Sequence, residues 1–275
     1  MRTTATTPRR PLVDPNWITQ RLDDDAVRLV EIDVTPTAYQ DGHIPGAVLW
    51  NIYTDLRNSD YDPIDTAELE RLLSRSGITR ETTVVFYGYG AHLGYWLLKS
   101  HRHDDVRLMD GPREQWLDAG EWSLQEPAHQ GTAYPLEAPD AHLHVSRETV
   151  LTTLEETNQV LLDVRSPAEH KGERFWPSGA TEGAGKAGHI PGSINLPIEA
   201  LRDQHGRFAE PTEMRRLLLE HGITPEHRVV TYCTIGNRAS QAWYALSHLL
   251  GYPDTSVYHG SWAEWGTHAN APIER

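Results

Sequence analysis

Residues 228–239 read RVVTYCTIGNRA, and this stretch is the best guide to the fold class. The β-branched run Arg228–Tyr232 predicts a buried strand, and the residues from Ala239 onward predict a helix. Cys233 follows the strand directly, and Gly236 permits a tight turn before the helix. A strand, a short loop and a helix in this order are typical of a parallel sheet with helices on its faces.

Motifs of the second half, including part of this stretch, recur in the first half of the chain. Three ordered echoes pair residues 43–47 with 189–193, 84–88 with 229–233, and 108–111 with 257–260. Such echoes predict a tandem duplication of one α/β domain. We expect an N-terminal domain over residues 1–125, a proline-containing linker over 126–143 and a C-terminal domain over 144–275.

Both halves alternate strand and helix patterns. The strands are predicted over residues 27–33, 83–87, 106–109, 160–164, 193–196, 228–232 and 255–258. The helices are predicted over residues 66–76, 93–100, 212–221 and 239–250. This alternation predicts a mainly parallel sheet in each domain, flanked by helices.

The two halves differ at the position that corresponds to Cys233, which is Gly88 in the first half. They also differ in length. If Asp33 and Asp163 end corresponding strands, the second half contains an insertion at Lys171–Gly188. Its many glycines favour an irregular loop, and long loops in compact domains are often functional.

Composition excludes several classes of protein. The 275 residues include 25 Lys plus Arg and 39 Asp plus Glu, which give a net charge of −14. That charge argues against nucleic acids and anionic membranes as partners. The single cysteine permits no intrachain disulfide and no cysteine-based zinc site. The 15 histidines leave a histidine and carboxylate metal site arithmetically possible, but we expect neither a metal nor a cofactor.

The N-terminal residues Met1–Pro11 are rich in Thr, Arg and Pro and lack the apolar core of a secretory signal. We expect a short frayed tail there and a cytoplasmic protein, in which Cys233 is available as a thiol. No apolar run approaches the length of about 20 residues that a membrane-spanning helix needs.

Cys233 has the surroundings of a nucleophile. A strand-to-helix turn lies at the carboxyl edge of a parallel sheet, where open α/β sheets bind ligands. The amide N–H groups at the start of the following helix attract anions and favour a thiolate. Arg238 adds a permanent positive charge.

Together these residues resemble the two-domain rhodanese family of sulfurtransferases over nearly the whole chain. The resemblance rests on the paired His-Ile-Pro-Gly motifs, the Asp163-Val164-Arg165-Ser166 motif, the strand that leads into Cys233, and residues 257–265. In that family the first domain has usually lost its cysteine and is non-catalytic, which Gly88 fits.

The resemblance implies a ping-pong mechanism in which Cys233 takes the outer sulfur of a donor as a persulfide. A thiophilic acceptor, such as cyanide or a thiol, then removes it. The anionic persulfide needs N–H donors, which are expected from the loop residues Thr234, Ile235, Gly236, Asn237 and Arg238. We expect a monomer whose only partners are a small anionic donor and this acceptor.

Three further cations are candidates for the donor site. By resemblance, Arg165 would hold the anionic head of the donor, although a salt bridge to a carboxylate such as Glu169 is the structural alternative. Arg174 and Lys186 lie in the insertion and could complete an anion site. The two histidines His43 and His189 are expected to bond to backbone in turns, and the tryptophans Trp262 and Trp265 to lie in the core.

Two other classes of function stay open. Cysteine-dependent phosphatases and arsenate reductases need a loop with five residues between the cysteine and the arginine, but Arg238 lies one position too early. A non-catalytic binding module is the other alternative, but such rhodanese domains typically lack the cysteine.

Within the sulfurtransferases, the donor is thiosulfate or 3-mercaptopyruvate. Mercaptopyruvate enzymes tend to have small and hydroxyl residues in the loop, whereas thiosulfate enzymes tend to have cations there. Ile235 cannot move a proton, and Arg238 supplies a charge. The loop therefore favours thiosulfate, with 3-mercaptopyruvate as the alternative.

Overall fold

The computed structural model describes residues 11–181 and 183–275. These residues form two compact units. The first contains the chain up to Leu56 together with Asp65–Glu137, and the second contains Arg57–Ile64 together with Ala138–Arg275. The segment Arg57–Ile64 thus belongs to the second unit, although it comes from the first half of the sequence. The predicted tail lies outside the described residues, apart from Pro11.

The first unit is a five-stranded parallel sheet in the order β1-β5-β4-β2-β3. Its strands are β1 (Leu12–Val13), β2 (Val27–Asp33), β3 (Val48–Asn51), β4 (Thr83–Tyr87) and β5 (Val106–Met109). Its helices are α1 (Pro15–Thr19), α2 (Thr37–Asp41), α3 (Thr66–Arg75) and α4 (Ala91–Ser100), with a 3₁₀ turn at Arg113–Asp118.

The second unit repeats this topology in the order β6-β10-β9-β7-β8, again with all neighbours parallel. Its strands are β6 (His144–Val145), β7 (Gln159–Asp163), β8 (Ile194–Asn195), β9 (Arg228–Tyr232) and β10 (Thr255–Tyr258). Its helices are α5 (Arg147–Thr152), α6 (Pro167–His170), α7 (Pro211–Glu220), α8 (Asn237–Tyr244) and α9 (Ser261–Thr267). A 3₁₀ turn covers Ile198–Leu201, and a π-helical turn at Ala245–Leu249 continues α8. The predicted duplication and parallel sheets are therefore confirmed.

Each sheet places its longest apolar strands at the centre. Val229 and Val230 in β9 and Val84 and Val85 in β4 are fully buried, as expected of strands covered by helices on both faces. In the second unit the chain leaves β7 towards β8 and leaves β9 towards β10, in opposite directions across the sheet. The loops after β7 and β9 therefore flank a topological switch point, where sheets of this kind open a crevice.

The two His-Ile-Pro-Gly motifs form equivalent turns. The amide of Ile44 donates to the hydroxyl of Tyr87 at 3.1 Å, and the amide of Ile190 donates to the hydroxyl of Tyr232 at 3.2 Å. His43 bonds through Nδ1 to the Tyr39 carbonyl, and His189 bonds to that of His170. The expectation that these imidazoles bond to backbone is confirmed.

Asp33 and Asp163 end the corresponding strands β2 and β7, as expected, but they do not lie at equivalent places opposite the central strands β4 and β9. Asp163 lies opposite Tyr232 in the sheet, and the residue that lies opposite Tyr87 in the first sheet is Glu31. Glu31 is the fully buried carboxylate of the first unit, whereas Asp33 lies two residues further on at the end of its strand. The repeat therefore aligns an aspartate with a glutamate, which the spacing of acids alone did not reveal.

The insertion Lys171–Gly188 contains no helix or strand in its described residues, 171–181 and 183–188, as its glycines predicted. The region of the predicted linker also lacks regular elements, but Tyr134 is buried and Thr132 donates to the Ile78 carbonyl, both in the first unit. Over the part of the chain that the structure describes, no helix has the length and apolar character needed to span a membrane.

Candidate active site

Cys233 lies at the carboxyl end of β9, beside the switch point, and its side chain is buried. Three residues separate it from α8, and the last of them, Gly236, has φ of +88°. A Cβ atom at that position would lie 2.9 Å from Cδ2 of His259, so only glycine fits the turn. The turn bends the chain so that the start of α8 faces the cysteine.

The sulfur of Cys233 accepts a hydrogen bond from the amide of Gly236, with N and Sγ 3.1 Å apart. The amide of Cys233 itself donates to Oγ of Ser261 at 3.2 Å. A backbone donor on the sulfur, at the N-terminal end of a helix, stabilises negative charge on that atom. This geometry suits a thiolate or an anionic persulfide.

The buried residues Glu169 and Thr234 and the half-buried Arg238 form a cluster beside the cysteine. The guanidinium of Arg238 donates to both carboxylate oxygens of Glu169, at 2.9 and 2.8 Å. The hydroxyl of Thr234 also donates to this carboxylate at 2.8 Å. Burial by itself raises the pKa of Glu169, but the bonds and charge of Arg238 outweigh that effect and lower it. The positive charge predicted at Arg238 is therefore balanced by Glu169.

Arg165 is also present at the switch point, but its charge is balanced as well. It is fully buried, and Asp163 accepts hydrogen bonds from its Nε at 2.9 Å and its Nη2 at 2.7 Å. Nη2 also donates to the carbonyl of Gly188 at 2.8 Å. The salt bridge considered with Glu169 is thus made with Asp163 instead. Within the described residues, Nη1 of Arg165 has no hydrogen-bond partner.

Asp163 and Arg165 belong to a second cluster of polar side chains, in which Asp163 is the shared acceptor. It accepts hydrogen bonds from Arg165, from the hydroxyl of Tyr232 at 2.9 Å and from Nδ1 of His170 at 2.9 Å. Burial by itself raises the pKa of Asp163, but the charge of Arg165 and these hydrogen bonds outweigh it, so that the pKa is about 2. The carboxylate therefore stays ionised in the interior and joins the segment after β7 to the end of β9.

The two candidates from the insertion occupy different places. Arg174 donates to Oγ of Ser166 at 3.1 Å, and that hydroxyl in turn donates to Glu169. Arg174 therefore joins the cluster beside Cys233. Lys186 instead donates to the carbonyl of Ala269 at 2.8 Å, beyond the end of α9, and no described contact links it to the cysteine loop.

The remaining residues of the cysteine loop have buried side chains. Ile235 and Asn237 are buried, and Asn237 begins α8, where its carbonyl accepts from the hydroxyl of Ser240. Trp262 and Trp265 are fully buried in α9, so their predicted place in the core is confirmed.

Two residues at this site, Glu169 and Arg57, were not predicted from the sequence to belong to it. Glu169 was considered only as a partner of Arg165, although the Ser-x-x-Glu spacing of Ser166 and Glu169 predicts a capping box, which the structure contains. Arg57 lies far away in sequence and carries no motif, yet its guanidinium donates to the carbonyls of Ile235 and His259.

Comparison with known proteins identifies the family. A rhodanese-like domain matches the chain twice, over residues 14–119 and 146–268. A protein of Saccharopolyspora erythraea, provisionally named a thiosulfate sulfurtransferase, is 37% identical over 270 residues, which cover 96% of this chain and 95% of the relative. The sulfur carrier protein TtuD of Thermus thermophilus is 37% identical over 278 residues, with 96% of each chain covered.

Solved structures agree in fold. An anaerobic ergothioneine biosynthesis enzyme from Chlorobium limicola, bound to trimethyl histidine, superposes with a TM-score of 0.82 and 27% identity. A variant of EanB with a cysteine persulfide and ergothioneine gives a TM-score of 0.84 and 27% identity. Each superposition covers 96% of this chain and 70% of the other.

Proposed function

Because this chain belongs to the rhodanese-like family, we propose that it moves the outer sulfur of thiosulfate to a thiophilic acceptor through a persulfide on Cys233. The coarser activity, sulfur transfer, is the one for which its relatives are named. The observation that carries the finer proposal is the amide of Gly236, 3.1 Å from the sulfur of Cys233 at the start of α8.

The reaction has two balanced steps. The thiolate of Cys233 attacks the outer sulfur of thiosulfate; a new S–S bond forms, the S–S bond of the donor breaks, and its electron pair leaves with sulfite. Cyanide or a thiolate then attacks the terminal sulfur of the persulfide. That step regenerates the Cys233 thiolate and releases thiocyanate or a new persulfide. The EanB structure with a cysteine persulfide supports the intermediate, since it shares this fold.

The charge distribution supports a site that holds the anion largely through backbone amides. The guanidinium groups of Arg165 and Arg238 are balanced by Asp163 and Glu169. Arg174 lies beside the pair of Arg238 and Glu169, where it donates to the hydroxyl of Ser166. We assign donor binding to the loop amides from Thr234 to Arg238 and to Arg174, with Arg165 and Arg238 shaping the site.

The loop chemistry favours thiosulfate over 3-mercaptopyruvate. Sulfite leaves as a stable anion and needs no proton, whereas loss of sulfur from 3-mercaptopyruvate leaves a carbanion equivalent that must be protonated. The hydroxyl of Thr234 donates to Glu169 and is therefore not directed at a leaving group. The first unit, with Gly88 in place of the cysteine, is proposed to be non-catalytic.

The test compares kcat/KM for thiosulfate and for 3-mercaptopyruvate with cyanide as acceptor, and measures by intact mass whether Cys233 gains one sulfur atom. We expect the persulfide to form and thiosulfate to give the higher kcat/KM. A higher value for 3-mercaptopyruvate would replace thiosulfate as the donor. Absence of the mass gain with both donors would overturn the persulfide mechanism.

A further inference from the structure

Arg57 is a fully buried arginine that packs against the loop of Cys233. Its Nη2 donates to the carbonyl of Ile235 at 2.6 Å and to that of His259 at 2.7 Å. Its Nη1 donates to the carbonyl of Tyr61 at 2.8 Å. Burial of an ionised guanidinium is costly, and Nε of Arg57 has no partner within the described residues. A buried charge of this kind calls for a physical explanation.

The carbonyls of the loop show what Arg57 does. The carbonyl of Cys233 accepts from the amide of Trp262, and the carbonyl of Thr234 accepts from the amide of Ala263, both at 2.9 Å. These two donors come from the first turn of α9. The next carbonyl, that of Ile235, accepts from Arg57 instead. Arg57 thus continues a row of donors that holds three consecutive carbonyls of the loop.

A planar trans peptide points its carbonyl and its N–H in opposite directions. Because Arg57 holds the carbonyl of Ile235, the N–H of the same peptide group, which belongs to Gly236, faces the other way. That N–H is the one that donates to the sulfur of Cys233. The guanidinium therefore orients the amide that contacts the sulfur, although it does not touch the sulfur in any described hydrogen bond.

The segment that carries Arg57 is anchored to the second unit. Its neighbour Tyr61 packs its ring against Trp176, with centroids 5.0 Å apart, and a bridge between Arg57 and Pro63 closes the segment on itself. Burial lowers the pKa of Arg57 to about 10, while the charge of Cys233 opposes that shift. The guanidinium is therefore charged near neutral pH and can donate to the loop carbonyls.

We propose that Arg57 is a positioning residue for sulfur transfer, which turns the peptide between Ile235 and Gly236 so that its N–H stabilises negative charge on Cys233. This inference rests on the proposed persulfide chemistry. It assigns to the first half of the sequence a residue that completes the sulfur site of the second unit.

The test uses Arg57→Met, which removes the charge and the donors, and Arg57→Lys, which keeps a charge but not the planar fork. By analogy with loss of one oxyanion donor, we expect Arg57→Met to lower kcat for sulfur transfer about 10-fold to 100-fold. We expect little change in KM and an intermediate kcat for Arg57→Lys. Arg215→Met is the matched control, since Arg215 also donates to a carbonyl, that of Leu250, in the same unit.

A second readout separates positioning from a structural role and from the proposed function. Cys233 is the only cysteine, so its alkylation by iodoacetamide at neutral pH reports on one sulfur. Lost stabilisation of the thiolate makes Arg57→Met react more slowly than the wild type. A merely structural role would loosen the loop and expose the buried sulfur, so that alkylation would be faster.

Either unchanged kcat, or unchanged or faster alkylation, in folded Arg57→Met would overturn the assignment; folding is checked by circular dichroism. If the wild type forms no persulfide but the variant still alkylates more slowly, the sulfur-transfer proposal fails while the role of Arg57 in positioning the amide stands. If the wild type forms the persulfide and the variant matches it in both readouts, only the inference about Arg57 fails.

Discussion

The loop after β9 and the loop after β4 occupy equivalent places in the two sheets but are built differently. In the second unit, the amide of Gly236 donates to the sulfur of Cys233. In the first unit, the amide of Gly90 donates instead to the carbonyl of Ile32 in the neighbouring strand region, at 2.8 Å. The first loop therefore uses its backbone donor to close on the sheet, whereas the second presents it to a side chain.

The two loops also differ in the room that they leave for a side chain. Gly88 has φ of +86°, and a Cβ atom there would lie 3.1 Å from the carbonyl oxygen of Ile32. A Cβ at Gly90 would lie 2.3 Å from Cγ2 of the same residue. In the first unit, Ile32 therefore lies against the loop where a side chain at position 88 or 90 would need room. The fold alone therefore does not make a sulfur site; the local backbone must leave room for one.

The largest effect is expected from moving the cysteine between the two loops. We expect Cys233→Ser to abolish thiocyanate formation from thiosulfate and cyanide while the far-ultraviolet circular dichroism stays unchanged. Adding Gly88→Cys to that variant is not expected to restore transfer, because the first loop lacks both the space and the free amide. The measurements are the thiocyanate assay and the intact mass after incubation with thiosulfate.

Gly88→Cys in the wild-type background is the control for folding, since it strains the same position while Cys233 remains. A mass gain of one sulfur at position 88 in the double variant would contradict the comparison. Wild-type activity in Cys233→Ser alone would contradict the mechanism itself.

The second effect concerns the turn at Gly236. We expect Gly236→Ala to lower kcat about 100-fold to 1,000-fold, because the added Cβ collides with His259 and displaces the amide from the sulfur. Gly251→Ala is the matched control. Gly251 also has positive φ, +70°, but a Cβ there meets nothing within 4 Å.

The control variant shares the backbone strain, about 1–3 kcal/mol for a residue in the left-handed region, but not the collision. We expect Gly251→Ala to lower the free energy of unfolding and to leave kcat unchanged. Equal losses of kcat in both variants would mean that strain, and not the position of the Gly236 amide, controls the reaction.

The smallest effect is a pH dependence of stability that comes from Asp163. Its pKa of about 2 in the folded protein lies below the ordinary value of 3.8. Its contribution to stability is therefore present above about pH 4 and is lost as the pH falls towards 2. The shift corresponds to about 2 kcal/mol.

Asp163→Asn removes this titration. We expect the difference in the free energy of unfolding between wild type and variant, measured with urea, to shrink by about 2 kcal/mol between about pH 5 and pH 2. A difference that stays constant over that range would show that Arg165 does not stabilise the ionised form of Asp163.

Much of the second unit was predictable because its signals are local. The run Arg228–Tyr232 was predicted as a strand and forms β9 with the same bounds. The helix predicted from Ala239 begins two residues earlier, at Asn237, since the turn at Gly236 already directs the chain into α8. Short β-branched runs and glycines that end helices act over a few residues, so a single sequence reveals them.

The site was less predictable because Glu169, the partner of Arg238, is distant in sequence, and because Asp163, although only two residues from Arg165, was not named as its partner. Arg165 and Arg238 were predicted as cations that hold an anion, but their charges are met by Asp163 and Glu169. The pairing of Glu169 with Arg238 depends on the approach of the loops after β7 and β9. That approach is decided by the order of strands in the sheet and not by spacing along the chain.

The sequence by itself determined the duplication, the parallel sheets and the place of Cys233 between a strand and a helix, because each follows from periodicity or from a repeated motif. The contact of Arg57, from the first half of the chain, with the carbonyl of Ile235 becomes visible only in the folded protein. The structure also shows that Ile32 lies against the backbone of the loop after β4. Both depend on which backbone groups meet in space, and no local pattern of residues encodes that meeting.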